Sequence, residues 1–149
     1  MSPTQVPIAD GVFTFPASAA PNGKPRLIGS RCTHCATVVF PTALGCPRCG
    51  SDEMERHELG RRGRLFTWTT QGFLPKEPYT GPETEETFDG WALGYVELPG
   101  EVMVETRLTE SDPARLEIGM EMELVIVPFR RDGDTEIVTF AFAPLEATA

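Results

Sequence analysis

The sequence is poor in the residues that most often carry out catalysis. Among its 149 residues there are two histidines and four cysteines, and no order of serine, histidine and aspartate indicates a catalytic triad. No glycine-rich loop of the kind that holds phosphate groups is present. These absences argue against hydrolytic or nucleotide-dependent chemistry carried by this chain.

Long apolar runs are also absent. The sequence contains no stretch of about 18 apolar residues that could span a membrane. Residues 1–7 lack the basic and apolar regions of a signal peptide. A protein that is not exported keeps its cysteines reduced. We therefore expect a cytoplasmic protein with no membrane partner.

The four cysteines form two C-x-x-C pairs, Cys32 with Cys35 and Cys46 with Cys49, separated by ten residues. Two thiolates three positions apart on a tight turn can point at one ion. A second such turn completes the tetrahedral all-sulfur site that structural Zn²⁺ prefers. Disulfides and an iron centre are the alternatives. If all four cysteines bind zinc, none is free to act as a nucleophile.

The charge is distributed unevenly along the chain, which has a formal net charge of -9. Up to Leu65 there are eight Lys and Arg against five Asp and Glu, whereas from Phe66 onward five bases face seventeen acids. The C-terminal part would repel a phosphate backbone, while the cysteine-bearing part tolerates an anion. We therefore expect no nucleic-acid partner.

Residues 1–25 are rich in proline, alanine and serine. Pro16, Pro21 and Pro25 argue against a long helix, and the apolar group at residues 12–15 is too short to form a core of its own. We interpret this segment as an N-terminal arm that either lies on its own domain or reaches a partner.

Residues 26–59 are predicted to form a zinc ribbon. Short segments with β character surround the cysteine pairs, at residues 27–31, 38–41 and 54–59. Because four sulfurs satisfy a tetrahedral metal, we expect His34 and His57 to be solvated, with no role as ligands or catalytic residues.

Residues 60–145 have the pattern of a β-barrel. Five segments are rich in β-forming residues, at 64–70, 91–98, 102–108, 120–127 and 136–142. Asp112-Pro113 predicts the start of a short helix that ends at Gly119. Five strands with one helix between the third and fourth are the layout of an OB-fold. The predicted fold class is therefore mainly β, with an N-terminal zinc ribbon followed by a five-stranded OB-fold barrel.

The connection at residues 71–90 has little strand character. Connections longer than about 12–15 residues are usually functional or disordered. This one carries Phe73, Leu74, Tyr79 and Phe88 among prolines and acids. Its apolar side chains either pack onto the barrel or contact a partner or ligand, and the sequence leaves both alternatives open.

Several short motifs together resemble a known family. They are Gly-Ser-Arg before the first cysteine pair, Phe-Pro after it, Cys-Pro-x-Cys-Gly-Ser at the second pair, Ile-Gly before the fourth barrel strand and Phe-Ala-Phe-Ala-Pro at the end. With a ribbon fused to an OB-fold, residues 26–145 resemble the zinc-ribbon/OB-fold proteins of the domain-of-unknown-function-35 family. Ala36, where Gly often follows the first pair, and Thr42-Ala43, in place of a common Pro-Arg, depart from the pattern and touch no ligand.

The resemblance implies a non-catalytic accessory subunit of a thiolase-fold enzyme, in a hetero-oligomer, that helps to form the acyl-CoA site. Relatives of this kind associate with acetoacetyl-CoA thiolase assemblies, steroid side-chain aldolases and 2-benzoylsuccinyl-CoA thiolase, and we take the last as the leading candidate for the partner reaction. Cleavage of a 3-oxoacyl-CoA needs an activated cysteine. With the four cysteines on zinc, that group would come from the partner chain.

A CoA thioester would need a basic contact for its phosphates. The richest basic group is Arg61-Arg62-Gly63-Arg64, at the join between ribbon and barrel, with Lys76 on the long connection as a second contact. Arginine suits phosphate because its planar fork donates two hydrogen bonds at once. The alternative is that these arginines balance nearby acids at a hinge.

Two other functions compete with the accessory role. Zinc ribbons and OB-folds can bind nucleic-acid strands through basic grooves and stacking aromatics, but the barrel is acidic and its aromatics are not interleaved with Lys or Arg. A rubredoxin-like electron carrier would use the same four thiolates for iron, although the sequence indicates no electron-transfer partner.

Overall fold

A computed structural model describes residues 4–15 and 24–145 of the chain. The described residues form two β-sheets and one short 3-10 turn. The strands are β1 (Thr4–Pro7), β2 (Ile28–Cys32), β3 (Val38–Val39), β4 (Met54–Glu58), β5 (Arg62–Gln71), β6 (Trp91–Glu97), β7 (Met103–Leu108), β8 (Glu121–Asp132) and β9 (Thr135–Pro144).

The smaller sheet is the predicted ribbon. Its strand order is β3-β2-β4, and both neighbours run antiparallel to β2. Ser30, in the central strand, lies opposite Val39 on one side and Arg56 on the other. The Ser30 hydroxyl accepts a hydrogen bond from the Ala43 N–H at 3.1 Å, which holds the segment between the cysteine pairs against the sheet.

The larger sheet closes into a barrel. Its order is β1-β9-β7-β6-β5-β8, and an additional pairing of β8 with β9 completes the ring. β5, β6 and β7 are antiparallel neighbours, whereas β7 meets β9 in parallel at Leu108 and Phe142. The five strands β5 to β9 therefore form the closed barrel predicted as an OB-fold, and the predicted fold class is confirmed.

The ribbon and the barrel share one hydrophobic core. Leu27 and Leu59 at the base of the ribbon, Phe13 of the arm, and Val96 and Phe142 of the barrel belong to one buried cluster. Strand periodicity explains the barrel's contribution, since alternate side chains of β6 and β7 point inward and are buried.

The N-terminal arm packs against its own chain where it is described. β1 pairs in parallel with β9, and Phe13, 4% exposed, forms a bridge with Leu27. Residues 4–15 of the arm thus lie on their own domain, which is the first of the two alternatives for this segment. Residues 1–3 and 16–23 of the predicted arm lie outside the described residues.

The predicted helix between the third and fourth barrel strands is a 3-10 turn, Pro113–Arg115. Asp112 caps it as predicted, accepting a hydrogen bond from the Ala114 N–H at 2.9 Å. The turn ends well before Gly119 because Leu116 is extended and turns into the core, where it is 8% exposed. Within residues 4–15 and 24–145, no helix is long and apolar enough to cross a membrane.

Strand β8 extends beyond the predicted end at residue 127. It continues to Asp132 through a register shift between Pro128 and Arg130. A bulge tolerates proline because the ladder is already interrupted there. The sequence pattern therefore underestimated the length of the β8–β9 hairpin.

Candidate metal centre and the joint between ribbon and barrel

The four cysteine Sγ atoms lie within 4.8 Å of one another. Cys32 and Cys49 are 3.6 Å apart at sulfur, and Cys35 and Cys46 are 3.5 Å apart. A disulfide needs about 2.0 Å, so these are free thiols. Ligands about 2.3 Å from a tetrahedral zinc ion lie roughly 3.8 Å from each other. The cysteine cluster thus fits Zn²⁺.

The two C-x-x-C turns have matching backbones. In each, the N–H of the second cysteine is 3.5 Å from the Sγ of the first, which accepts its hydrogen bond. The residue after each pair has a positive φ, 67° at Ala36 and 76° at Gly50. Ala36 is the one non-glycine residue with positive φ in the described part of the chain. The first turn therefore carries a backbone strain that glycine avoids in the second.

The surroundings of the cysteines favour thiolates at two of the four positions. Hydrogen bonds from the hydroxyl and then the N–H of Thr37 lower the pKa of Cys35 to about 6. The N–H of Cys49 lowers the pKa of Cys46. Although Ser51 donates to Cys49, desolvation and the neighbouring thiols raise the pKa of Cys49 to about 12. A bound dication would lower the pKa of Cys49 again, because metals deprotonate the thiols that coordinate them.

Arg61 joins the ribbon to the barrel. Its Nε donates to the Pro25 carbonyl at 2.8 Å, and its Nη2 donates to the Leu124 carbonyl at 2.8 Å. Its Nη1 pairs with Glu123 at 2.9 Å, with both side chains about 15% exposed. All three guanidinium nitrogens thus have partners within the chain, which corresponds to the structural alternative for this residue.

The other predicted CoA contacts are more accessible. The side chains of Arg62 and Arg64 are both 63% exposed. They line a surface depression of about 240 Å³ together with Pro99 and Glu121. Lys76 is exposed on the long connection after β5. The contacts to CoA remain a prediction. Of Arg61 and Arg62, the two arginines predicted to bind CoA, Arg62 has the more exposed side chain.

His57 and Glu101 form a second contact between ribbon and barrel. The His57 Nε2 is 2.6 Å from the Glu101 Oε2, and the Glu101 Oε1 accepts from the Gly60 N–H at 2.8 Å. The expectation that His57 is solvated is therefore wrong, whereas His34 is exposed as expected. No local pattern in the sequence could have revealed this contact, because the two residues are 44 positions apart and neither belongs to a recognisable motif.

The long connection between β5 and β6 packs onto its own barrel. The ring of Tyr79 lies 5.8 Å from that of Trp91 and 5.7 Å from that of Phe129, measured between centroids. Phe88 lies 5.1 Å from Trp91. Packing on the barrel is thus observed for Tyr79 and Phe88, while Phe73 remains 70% exposed.

Comparisons with known proteins give the same two modules. Residues 23–55 match the family model "ChsH2, rubredoxin-like zinc ribbon domain", and residues 56–127 match "ChsH2, C-terminal OB-fold domain". A DUF35 domain-containing scaffold protein of Methanocaldococcus jannaschii is 29% identical over 123 residues, covering 80% of this chain and 82% of the relative.

Two further relatives have names that concern CoA chemistry or aldol cleavage. The benzoylsuccinyl-CoA thiolase subunit BbsA of Thauera aromatica is 31% identical over 120 residues, covering 79% of this chain and 76% of the relative. A solved structure of the Ltp2-ChsH2(DUF35) aldolase matches with a TM-score of 0.56 and 25% identity, covering 80% of this chain and 84% of that one. Matching ribbon, barrel and relatives together show that the chain belongs to the ChsH2, or DUF35, family of zinc-ribbon and OB-fold proteins.

Proposed function

We propose that the chain is a non-catalytic accessory subunit of a thiolase-fold enzyme that acts on acyl-CoA, by 3-oxoacyl-CoA thiolysis or a related cleavage of a carbon–carbon bond. The observation that carries the proposal is the clustering of all four thiols within 4.8 Å. Such cleavage needs a free cysteine nucleophile, and cysteines bound to zinc cannot provide one. The names of relatives as scaffold proteins and thiolase subunits support the same role.

The chain would help to form the acyl-CoA site of that complex. Arg62 and Lys76 are exposed cations that can meet the phosphates of CoA, with the neighbouring Arg61 holding the strand from which Arg62 projects. The best candidate for the partner reaction is 2-benzoylsuccinyl-CoA thiolysis, because two relatives, from Thauera aromatica and Geobacter metallireducens, bear that name. A cytoplasmic complex would keep the four thiols reduced.

The partner is tested by affinity purification of the tagged full chain from its native host, followed by mass spectrometry. We expect a thiolase-fold chain in stoichiometric amount. The recombinant partner should then bind the purified chain directly. If no thiolase-fold protein binds, the accessory role is refuted.

The division of labour is tested by turnover assays on 3-oxoacyl-CoA substrates, including 2-benzoylsuccinyl-CoA. The isolated chain should show no thiolysis, and activity should require the partner. Changing the candidate nucleophilic cysteine of the partner to serine should abolish the activity of the complex. Turnover by this chain alone that a point mutation within it abolishes would contradict the proposal.

A further inference from the structure

An exposed aromatic side chain lies at a β-bulge in the first barrel strand. The β5–β6 register pairs Leu65 with Val96 and then Thr67 with Tyr95, so Phe66 is the extra residue of the bulge. Phe66 is 57% exposed, whereas Leu65 is 1% exposed. Bulges commonly redirect a side chain at functional sites. Phe66 itself faces outward by the alternation that buries Leu65, and the bulge leaves Thr67 on the same outer side. A large apolar ring thus lies on the outside of the barrel without burial in the described residues.

Further exposed apolar side chains lie on the same side of β5, β6 and β7. Tyr95 is 43% exposed and Met103 is 36% exposed. Tyr95 pairs with Thr67 beside the bulge, and Met103 pairs with Glu97, two positions along β6 from Tyr95. Diagonal neighbours at this spacing are within reach of long side chains. Phe66, Tyr95 and Met103 therefore form one patch, called here the Phe66 face.

A small open cavity lies on the outer face of β5, β6 and β7. Its volume is about 150 Å³, and Thr67, Thr69, Leu93, Tyr95 and Glu105 are among its lining residues. A cavity of about this volume can accept a benzene-sized group. It could thus receive one apolar side chain from another protein.

The acids on this face have no ion-pair partner in the described residues. Glu97 and Glu105 are exposed, and neither makes a salt bridge within residues 4–15 or 24–145. The nearby Arg64 is 4.0 Å from Glu121, and Arg107 lies over the Trp91 ring at 3.7 Å. The apolar patch therefore has an acidic edge, which would repel nucleic acid and attract a basic protein surface.

We propose that the Phe66 face is the surface on which the thiolase-fold catalytic subunit docks. The inference rests on the proposed function and adds the location and chemistry of the interface. The partner inserts one apolar side chain into the cavity on the outer face of β5, β6 and β7 and packs on Phe66 and Tyr95. It surrounds this contact with Lys or Arg facing Glu97 and Glu105. Aromatic anchors at the centre with charges at the edge are typical of protein interfaces.

The test measures the affinity of the full chain for the recombinant thiolase-fold subunit by biolayer interferometry. Changing Phe66→Ala and Tyr95→Ala together should weaken binding on the order of 30-fold or more, the effect of losing a hot spot. Leu44→Ala is the matched control, because Leu44 is 93% exposed and lies on the ribbon. We expect the control to bind within about twofold of the wild type, a change too small to indicate a hot spot.

A second variant protects the test against misfolding of the first. Glu97→Lys with Glu105→Lys changes exposed residues and should leave zinc content and melting temperature unchanged. It should slow association and remove the weakening of binding by added salt that a complementary charge pair produces.

The outcomes separate this surface from the proposed function. If the wild-type chain binds the subunit and both double variants bind equally well, the Phe66 face is not the interface and the accessory role stands. If the wild type binds no thiolase-fold subunit, the proposed function fails as well. If the variants lose self-association or oligonucleotide binding but still bind the thiolase-fold subunit as the wild type does, the docking proposal is overturned.

Discussion

The Nε2 atom of His57 lies 2.6 Å from the Oε2 atom of Glu101, in the turn that joins β6 to β7. The same carboxylate accepts a hydrogen bond from the Gly60 N–H, at the point where the ribbon ends. One half-buried side chain of the barrel therefore holds both the last strand of the ribbon and the start of the barrel. The relative position of the two modules depends on this carboxylate as well as on the shared core.

Changing Glu101→Ala should lower the free energy of unfolding by about 1–3 kcal/mol, because the Gly60 N–H and the His57 ring lose their acceptor. Glu101→Gln should cost less, since its amide oxygen can still accept from Gly60. Glu117→Ala, at an exposed position, should stay within about 0.5 kcal/mol of the wild type. Urea denaturation measures all three, and equal stabilities would show that the contact contributes nothing.

Changing Cys46→Ser should remove the metal and the order of the ribbon while the barrel strands persist. A structural zinc ion contributes about 10–16 kcal/mol in small peptides, and less where an adjoining barrel supports the fold. Elemental analysis gives zinc per chain, and hydrogen exchange compares the two modules. His34→Ala is the control, since His34 is exposed and should not affect a site of four sulfurs. Stoichiometric zinc in the Cys46 variant would contradict the four-cysteine assignment, and iron would favour the electron carrier.

Changing Ala36→Gly should stabilise the ribbon. Ala36 has a φ of 67°, a conformation that costs a residue with a Cβ about 1–2 kcal/mol, while glycine loses roughly 0.5–1 kcal/mol more entropy on folding. The expected net gain is about 0.5–1 kcal/mol. Gly50→Ala is the reciprocal change and should destabilise, although its added Cβ would meet no atom within 4 Å. Melting of the zinc-loaded protein measures both, and shifts of the same sign would rule out backbone strain as the cause.

Arg61 and Arg62 should behave differently despite being adjacent. Arg61→Ala should lower the free energy of unfolding by about 2–4 kcal/mol, because it leaves Glu123 without its buried partner and two carbonyls without donors. Arg62→Ala should leave stability within about 0.5 kcal/mol, because the Arg62 side chain is 63% exposed. In the assembled enzyme, Arg62→Ala should raise the KM for acyl-CoA about tenfold, which is 1.4 kcal/mol. If the Arg62 variant assembles normally and the KM for acyl-CoA is unchanged, neither arginine contacts CoA and the basic group is only structural.

Changing Tyr79→Ala should release the long connection between β5 and β6. Tyr79 packs against Trp91 and Phe129, so its loss should speed trypsin cleavage after the exposed Lys76. Tyr79→Phe keeps the ring and should remain nearly as resistant as the wild type. Burial raises the pKa of Tyr79 above its usual value of 10. The stability that the protonated Tyr79 side chain contributes to the fold is therefore complete below pH 10 and is lost as the pH rises through the raised pKa. Equal cleavage of the alanine variant would show that the other aromatic contacts hold the loop.

The sequence alone determined the metal site and the order of the ribbon and barrel strands, although it did not predict β1. The C-x-x-C spacing places two thiols on one turn whatever surrounds it, and alternation of two residues along a strand follows from backbone geometry. The cap at Asp112 was equally local, and the structure places it as predicted. Such features depend on residues within a few positions of one another, so a pattern in the chain is enough to predict them.

Tertiary structure alone decided how the modules are joined and which side chains remain accessible. Arg61 and Arg62 look alike in sequence, and both reach the Glu123 carboxylate more than sixty residues away. The Arg61 side chain is 15% exposed and also donates to the Leu124 carbonyl, whereas the Arg62 side chain is 63% exposed. The exposure of Thr67 next to Phe66 likewise depends on the bulge in the register between β5 and β6. Contacts between distant segments are set by the closing of the barrel, and no periodicity in the chain records which faces then meet.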